Sequence, residues 1–411
     1  MERKGESVMR RIAMLMALMG STLFVFGSGG SGEKSFEQGV AAQEAGRFDE
    51  AIAAYSAAIE SDPELAMAYF NRGLARLELK EFEGAFEDLS RTLALDAENS
   101  DALLARGVAL HALKRDEVAV LDFTAALESD ELDAEVYRQR AFSWQGLGES
   151  DAAIADLSMA IRLEPDRPEL YSNRAGVRRQ RGDDPGAIVD EALAEFTQAI
   201  AESDETSTRR VRGQAFFQVA EYELALADLN AVLAKEPTDE VALLTRGRTL
   251  FVLGDDGGAL ADYTVVVDAG GECVSEARAG RAVLYEERED WAAAIRDYEQ
   301  AIEASPEDDD LLARCAWLLA TCPKPELRSG KRAVEYARRA CEVTKWKDWF
   351  CLDAYAAASA EAGDFHSAVS WQERVLAMGP EGQLGPLQQR LDAYRNNRPY
   401  HTDGADSGLL R

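Results

Sequence analysis

Histidine is almost absent from this chain. Its 411 residues hold only His111, His366 and His401, alongside five cysteines. That scarcity argues against a zinc site or a His-based catalytic centre, so no metal or other cofactor is expected. Basic residues are also short: 45 Lys and Arg face 75 Asp and Glu, for a formal charge of −30. Phosphate recognition needs clustered Lys and Arg, so nucleic acid is excluded as a generic partner, and anionic lipid surfaces are disfavoured for the same reason. No P-loop, G-x-S-x-G or H-E-x-x-H motif occurs, and the glycine-rich Gly29–Glu33 follows an apolar run rather than a strand. Glu307–Asp310 lack the spacing of an EF-hand loop and are expected to cap a helix. His111 is flanked by Leu104 and Val108, which marks it as structural. β-branched residues are sparse beside Ala, Leu, Glu, Asp and Arg, which favours helix over sheet. The expected protein is a non-enzymatic helical scaffold.

The amino terminus stands apart. Arg3, Lys4, Arg10 and Arg11 precede a charge-free run of 15 residues, Ile12–Phe26, and then the small residues Gly27–Gly32. A basic start, an apolar core and small residues form the secretory-signal pattern. As a helix the run reaches about 22 Å, short of the roughly 30 Å hydrocarbon core. Residues 1–29 are therefore expected to be a signal peptide, with an uncleaved N-terminal membrane anchor as the alternative. The mature chain is expected to be exported, periplasmic or secreted.

Self-similarity decides the fold expectation. Ala51–Pro63 (AIAAYSAAIESDP), Ala153–Pro165 (AIADLSMAIRLEP) and Ala294–Pro306 (AIRDYEQAIEASP) repeat one theme within a period near 34 residues. Each unit predicts two amphipathic helices. A small residue sits at slot 8 (Gly39, Gly73, Gly107, Ala141, Ala175, Gly213, Gly247, Ala282) and another at slot 20 (Ala51, Ala85, Ala119, Ala153, Ala192, Ala225, Ala259, Ala294). Slot 24 holds an aromatic or leucine residue: Tyr55, Leu89, Phe123, Leu157, Phe196, Leu229, Tyr263, Tyr298. Small facing residues let two helices approach, and the large residue fills the space beside them. Pro63, Pro165, Pro237, Pro306 and Pro380 then stop second helices. One elongated array thus replaces the several globules that chain length alone would suggest.

This pattern resembles the tetratricopeptide repeat family over about 350 residues of the chain. The resemblance implies an all-α fold, a right-handed α-solenoid of tandem helix-turn-helix repeats, with eight repeats across 35–308. Residues 309–380 resemble a variant repeat pair that ends many exported bacterial members, and 381–411 are expected to supply a capping helix and tail. Repeat 5 departs from the pattern: about four extra residues fall between Ala187 and Phe196, and Ser203–Arg210 lacks the closing proline, which predicts a bend or hinge.

A charge ladder runs through the repeats. Slot 7 holds Arg72, Arg106, Arg140, Arg174, Arg212, Arg246 and Arg281, and slot 23 holds Asp88, Asp122, Asp156, Glu195, Asp228, Asp262 and Asp297. Repeat 1 lacks both, with Gln38 and Ala54. This joint appearance predicts two-point Arg–carboxylate pairs that specify register. Whether each Arg reaches its own unit or a neighbour is open.

The resemblance also implies a concave groove that holds a protein or peptide segment. Its slots carry Phe36, Val40, Phe70, Leu74, Leu77, Leu104 and Val108 in the first units, with His111 beside them. Further on come Arg138, Phe142, Arg179, Arg210, Phe217, Arg248 and Phe251, a section suited to an acidic peptide. The alternative is that several of these residues pack between repeats. The Lys/Asn/Arg clamp with which some family members grip a C-terminal carboxylate is missing, since Phe36, Val40, Asn71, Asp101 and Ala105 occupy its slots. A basic island, eight Lys and Arg against four acids in 323–349, invites an acidic partner or solvates a face. Cys322 and Cys341 either bridge, worth about 3 kcal/mol, or stay as buried thiols. The expected function is an interaction scaffold or adaptor. The alternatives are an envelope assembly factor with transient clients and, more remotely, a hydrolase with a hidden carboxylate pair.

Overall fold

The computed structural model describes residues 31–129 and 132–402. The expected signal segment, residues 1–29, lies outside the described residues. Among the described residues there are 21 α-helices and no strand. None of these helices is long and apolar enough to cross a membrane. The chain divides into two units, to Ser203 and from Asp204, and each is an all-α solenoid built of consecutive helix pairs.

In the first unit the pairs are α1 (Ser31–Glu44) with α2 (Phe48–Ser61), α3 (Ala66–Glu78) with α4 (Phe82–Leu95), α5 (Ser100–Ala112) with α6 (Asp116–Ser129), α7 (Ala134–Leu147) with α8 (Ser150–Leu163), and α9 (Pro168–Arg181) with α10 (Asp184–Glu202). The second unit continues with α11 (Thr206–Gln218) and α12 (Tyr222–Lys235), α13 (Glu240–Val252) and α14 (Asp256–Ala269), α15 (Val274–Glu287) and α16 (Trp291–Ala304). The variant pairs follow: α17 (Asp309–Thr321) with α18 (Gly330–Val343), and α19 (Trp349–Glu361) with α20 (Phe365–Met378). The last helix is α21 (Leu384–Arg395).

The small–small–large spacing does what packing requires. Ala51, Ala85, Ala119, Ala153, Ala225, Ala259 and Ala294 are wholly buried, as are the large residues four positions later. A Cβ on Gly107 would stand 2.5 Å from the Phe123 ring, so the ring occupies the space that glycine leaves. Helix starts are fixed locally. The side chains of Asn99, Asp133, Asp183, Asp239, Asp255, Asp290, Asp308, Asp348 and Asp364 each accept a hydrogen bond from a first-turn backbone N–H.

The turn inside nine of the ten pairs is equally regular, the exception being α17 and α18, which are joined through a short turn at Pro325–Leu327. A left-handed residue closes the first helix at Gly46, Lys80, Lys114, Gly148, Gly182, Ala220, Gly254, Glu289 and Gly363. The next N–H then reaches back five residues, as from Glu81 to the Arg76 carbonyl at 2.8 Å and from Glu221 to the Phe216 carbonyl at 2.9 Å. This is a Schellman closure, which favours glycine at the left-handed position. Four of these nine turns hold a residue with a Cβ instead.

Repeat 5 corrects the sequence register. Its slot-20 residue is Ala187, wholly buried, rather than Ala192. Helix α10 runs 19 residues where most others run 13 or 14, and it keeps Leu193, Thr197 and Ile200 buried. An insertion in mid-helix would rotate every later side chain to another face. The extra residues therefore lengthen the far end, and the first two turns stay in register.

Candidate functional site

The arginine ladder is internal. Every slot-7 arginine meets the acid 16 residues ahead in its own pair, with guanidinium Nε and Nη2 forking the two carboxylate oxygens. The Arg140 bonds to Asp156 are 2.8 and 2.7 Å, and those of Arg246 to Asp262 are both 2.7 Å. Arg72–Asp88, Arg106–Asp122, Arg212–Asp228 and Arg281–Asp297 repeat the fork. In repeat 5 the partner of Arg174 is Asp190, not Glu195, because the register is kept at the start of α10. Several arginines also donate Nη1 backward into the preceding pair: Arg72 to Ser56, Arg140 to Thr124, Arg174 to Ser158 and Arg246 to Asn230. One guanidinium thereby ties three helices. Repeat 1 lacks the fork; its helices are linked by the Tyr55 hydroxyl, which donates to Gln43 at 2.7 Å as that of Tyr298 donates to Glu286 in repeat 8.

The sequence-derived groove residues separate into three groups. Phe70, Leu74, Leu77 and Leu104 are buried in core clusters with Leu89, Phe123 and Val136, so they hold helices together and offer no open face. Phe36, Val40, Val108, Phe142, Phe217 and Phe251 are half-buried. Their rings and methyls pack sideways, as Phe36 does on Tyr55 at 5.6 Å and Phe217 on Tyr222 at 5.8 Å. The four arginines are already partnered. Arg138 is buried on Glu135 with its guanidinium over Phe142, Arg179 pairs with Glu191, Arg210 with Asp239, and Arg248 with Glu276. Burial opposes the Glu135 carboxylate, yet Arg138 and Arg167 hold it below its ordinary range. Each of the four expected cationic positions thus has a carboxylate beside it, at Arg179 and Arg248 in an exposed pair.

His111 has no catalytic relay. Asp116 Oδ1 at 2.5 Å and Ser143 Oγ at 3.4 Å both approach the same ring nitrogen, Nδ1. A base that deprotonates serine needs its acid and its nucleophile on opposite nitrogens. Among the described residues no cluster of His, Cys, Asp and Glu could hold a metal ion. The cysteines are free thiols, and burial pushes those of Cys315 and Cys341 up to about 12. Within the basic island the arginines meet groups of the chain itself: Arg328 lies on Glu361, Arg332 on Glu299, Arg338 near Glu342 and Arg339 on the Pro306 carbonyl.

An open cleft that sequence reasoning missed lies across the first helices of three successive pairs in the second unit. It has a volume of about 320 Å³ and spans α13, α15 and α17. Tyr263, Ala279, Val283 and Leu311 supply apolar surface, and Arg248, Ser275, Glu276, Asp308, Asp310 and Arg314 supply polar surface. Three carboxylates face two guanidiniums, and most are already placed. Arg248 meets Glu276, Arg314 donates to Asp310 at 2.7 Å, and Asp308 caps α17. Tyr298 lines the cleft and donates to the buried Glu286 carboxyl at 2.5 Å. Burial pushes Glu286 up to about 7. Positions 9 and 12 of the helix pattern, Val283 and Glu286, could have marked this place, but the acid at an inward slot reads as surface.

A tetratricopeptide repeat family model matches residues 36–100. A comparison with curated proteins finds no match. Among solved structures, MamA aligns at 21% identity over 40% of this chain and 96% of that one, with a TM-score of 0.39. MamA from Desulfovibrio magneticus RS-1 aligns at 15% identity over 44% and 100%, with a TM-score of 0.41. YrrB, described as a tetratricopeptide repeat protein with an unusual peptide-binding site, aligns at 20% identity over 40% and 85%, with a TM-score of 0.37. Residues 36–100 are thus of the tetratricopeptide repeat kind, and the consecutive helix pairs with their small–small–large packing recur through the described residues that follow.

Proposed function

We propose that this protein is a non-catalytic interaction scaffold that holds a segment of a partner protein across the first helices of its pairs. The observation that carries this reading is the open cleft over α13, α15 and α17. It is wide enough for a few side chains, mixes aromatic and aliphatic surface with fixed ion pairs, and presents no arranged nucleophile, base or metal cluster. Orienting a segment by a few placed polar groups on an apolar floor is how such sites gain specificity. The excess of carboxylates favours a segment carrying a cationic side chain. Its place of action is proposed to be outside the cytoplasm, from the basic, apolar and small-residue succession of residues 1–29.

The test is a peptide-display selection against the full chain, followed by calorimetric titration of the selected peptides. Ala279 is half-buried in the cleft, so Ala279→Trp fills it. Binding should fall at least tenfold while the helical melting curve is kept. Unchanged affinity in a folded variant would remove the cleft from the account.

A further inference from the structure

The segment that follows α21 is laid back onto the first helices of the variant pairs. Asn397 takes a left-handed conformation and the Arg398 N–H donates to the Ala393 carbonyl at 3.0 Å, which turns the chain out of the helix. Tyr400 then lies on Trp317 of α17, ring centroids 6.2 Å apart. His401 Nε2 meets Glu361 of α19 at 2.7 Å. The Thr402 N–H donates at 2.9 Å to the carbonyl of Thr321, 81 residues away and the last residue of α17. Helix ends leave carbonyls without intrahelical donors, so this bond fills a vacancy that any extended backbone could fill.

The acceptor surface is built in advance. Beneath Tyr400 the guanidinium of Arg390 stacks 5.1 Å from Trp317 and 5.6 Å from Tyr400, and forks the buried Asp353 at 2.8 and 3.2 Å. Arg328 holds the other oxygen of Glu361 at 3.1 Å, which fixes that carboxylate for His401. Trp317 falls nine residues after the cap Asp308, as Arg248 falls nine after the cap Asp239. Thr321 and Glu361 fall thirteen after Asp308 and Asp348. Trp317 therefore holds the position that Arg248, two pairs earlier, holds beside the open cleft.

We infer that residues 399–402 are an internal ligand, and that the surface of Trp317, Thr321, Glu361 and Arg390 is an acceptor site for an extended segment bearing an aromatic residue followed by a cationic or imidazole side chain. This rests on the reading of the first helices as segment-binding surfaces. In trans, such a segment competes with the chain's own residues. An aromatic ring on a guanidinium–tryptophan stack, one hydrogen-bonded base and one backbone N–H are the three points of recognition.

The test uses a labelled synthetic peptide of sequence NRPYHT (Asn397–Thr402) and fluorescence anisotropy against the full chain. The double variant Tyr400→Ala/Thr402→Pro removes two of the three contacts and clears the Trp317–Arg390 stack, while the turn at Asn397 and Arg398 is kept, so the fold is expected to hold, as a thermal melt will show. The peptide should bind this variant at least tenfold more tightly than the wild-type chain. Adding Glu361→Gln to the variant should cost most of that gain. Equal affinity for both chains, or no binding to the folded variant, overturns the inference. A peptide selected on the α13–α15–α17 cleft serves as the control. Its affinity should not change in the double variant, so loss of the cleft reading and loss of the internal ligand give different results.

Discussion

At the scale of single residues, burial decides what each ladder pair does. The side chain of Arg174 is 2% exposed and that of Asp190 wholly buried, whereas Arg106 is 23% exposed beside Asp122. A buried pair that loses one partner strands a charge, at a cost of about 3–5 kcal/mol, while a wetter pair recovers part of its hydration. Chemical denaturation should therefore find Asp190→Ala, which strands the buried Arg174, more destabilising than Asp122→Ala, which leaves the wetter Arg106, by at least about 1 kcal/mol. Equal losses would mean that the ladder acts through packing alone. Glu286 makes a second prediction. Its folded-state pKa stands above its ordinary value because burial disfavours the charge, although the Tyr298 hydrogen bond and Arg314 oppose that rise. Stability from this group is present in full below the unfolded value near 4.5 and is lost as pH rises through about 7. Glu286→Gln keeps an acceptor for Tyr298 without the titration. Its melting temperature relative to wild type should rise between pH 4.5 and pH 8; a flat difference would show that Glu286 is not forced to ionise in the fold.

At the scale of the element, the within-pair turn is the feature with an unmet preference. Ala220 and Glu289 sit at φ 60 and 59°, where a Cβ costs about 1–2 kcal/mol. Glycine relieves that strain and gives back part of it through the freer unfolded chain. Ala220→Gly and Glu289→Gly should each stabilise by roughly 0.5–1 kcal/mol, read as a shift in denaturant midpoint at unchanged slope. Destabilisation by either would contradict the Schellman reading of these turns. These turns also show what a sequence conceals. Gly46, Gly148, Gly182, Gly254 and Gly363 carry the signal, but Lys80, Lys114, Ala220 and Glu289 hide it, because hydrogen-bonded closure overrides residue preference. The slot-8 and slot-20 residues were legible because close approach admits no side-chain alternative. The repeat 5 register was not, since Ala187 and Ala192 are equally small and only the pairing of Arg174 with Asp190 separates them.

At the scale of the whole molecule, the −30 charge coexists with an interior in which arginine is matched to acid pair by pair. The ladder uses charge to set register, and the arginines expected along the groove are matched in the same way: Arg138, Arg179, Arg210 and Arg248 each have a carboxylate beside them. Helix pairing and period could be seen in the sequence because they recur. The cleft and the returning segment could not, because they depend on which first helices stand open and on a contact between Thr402 and Thr321 that has no periodic trace. The central claim is that the first-helix face binds a partner segment. Photo-crosslinking tests it most directly, with benzoylphenylalanine placed at the exposed Glu276 on the rim of the cleft or at the exposed Arg296 on α16, and a selected peptide as the target. The account predicts a crosslinked peptide from position 276 and none from 296. Crosslinking from 296 with none from 276 would contradict it.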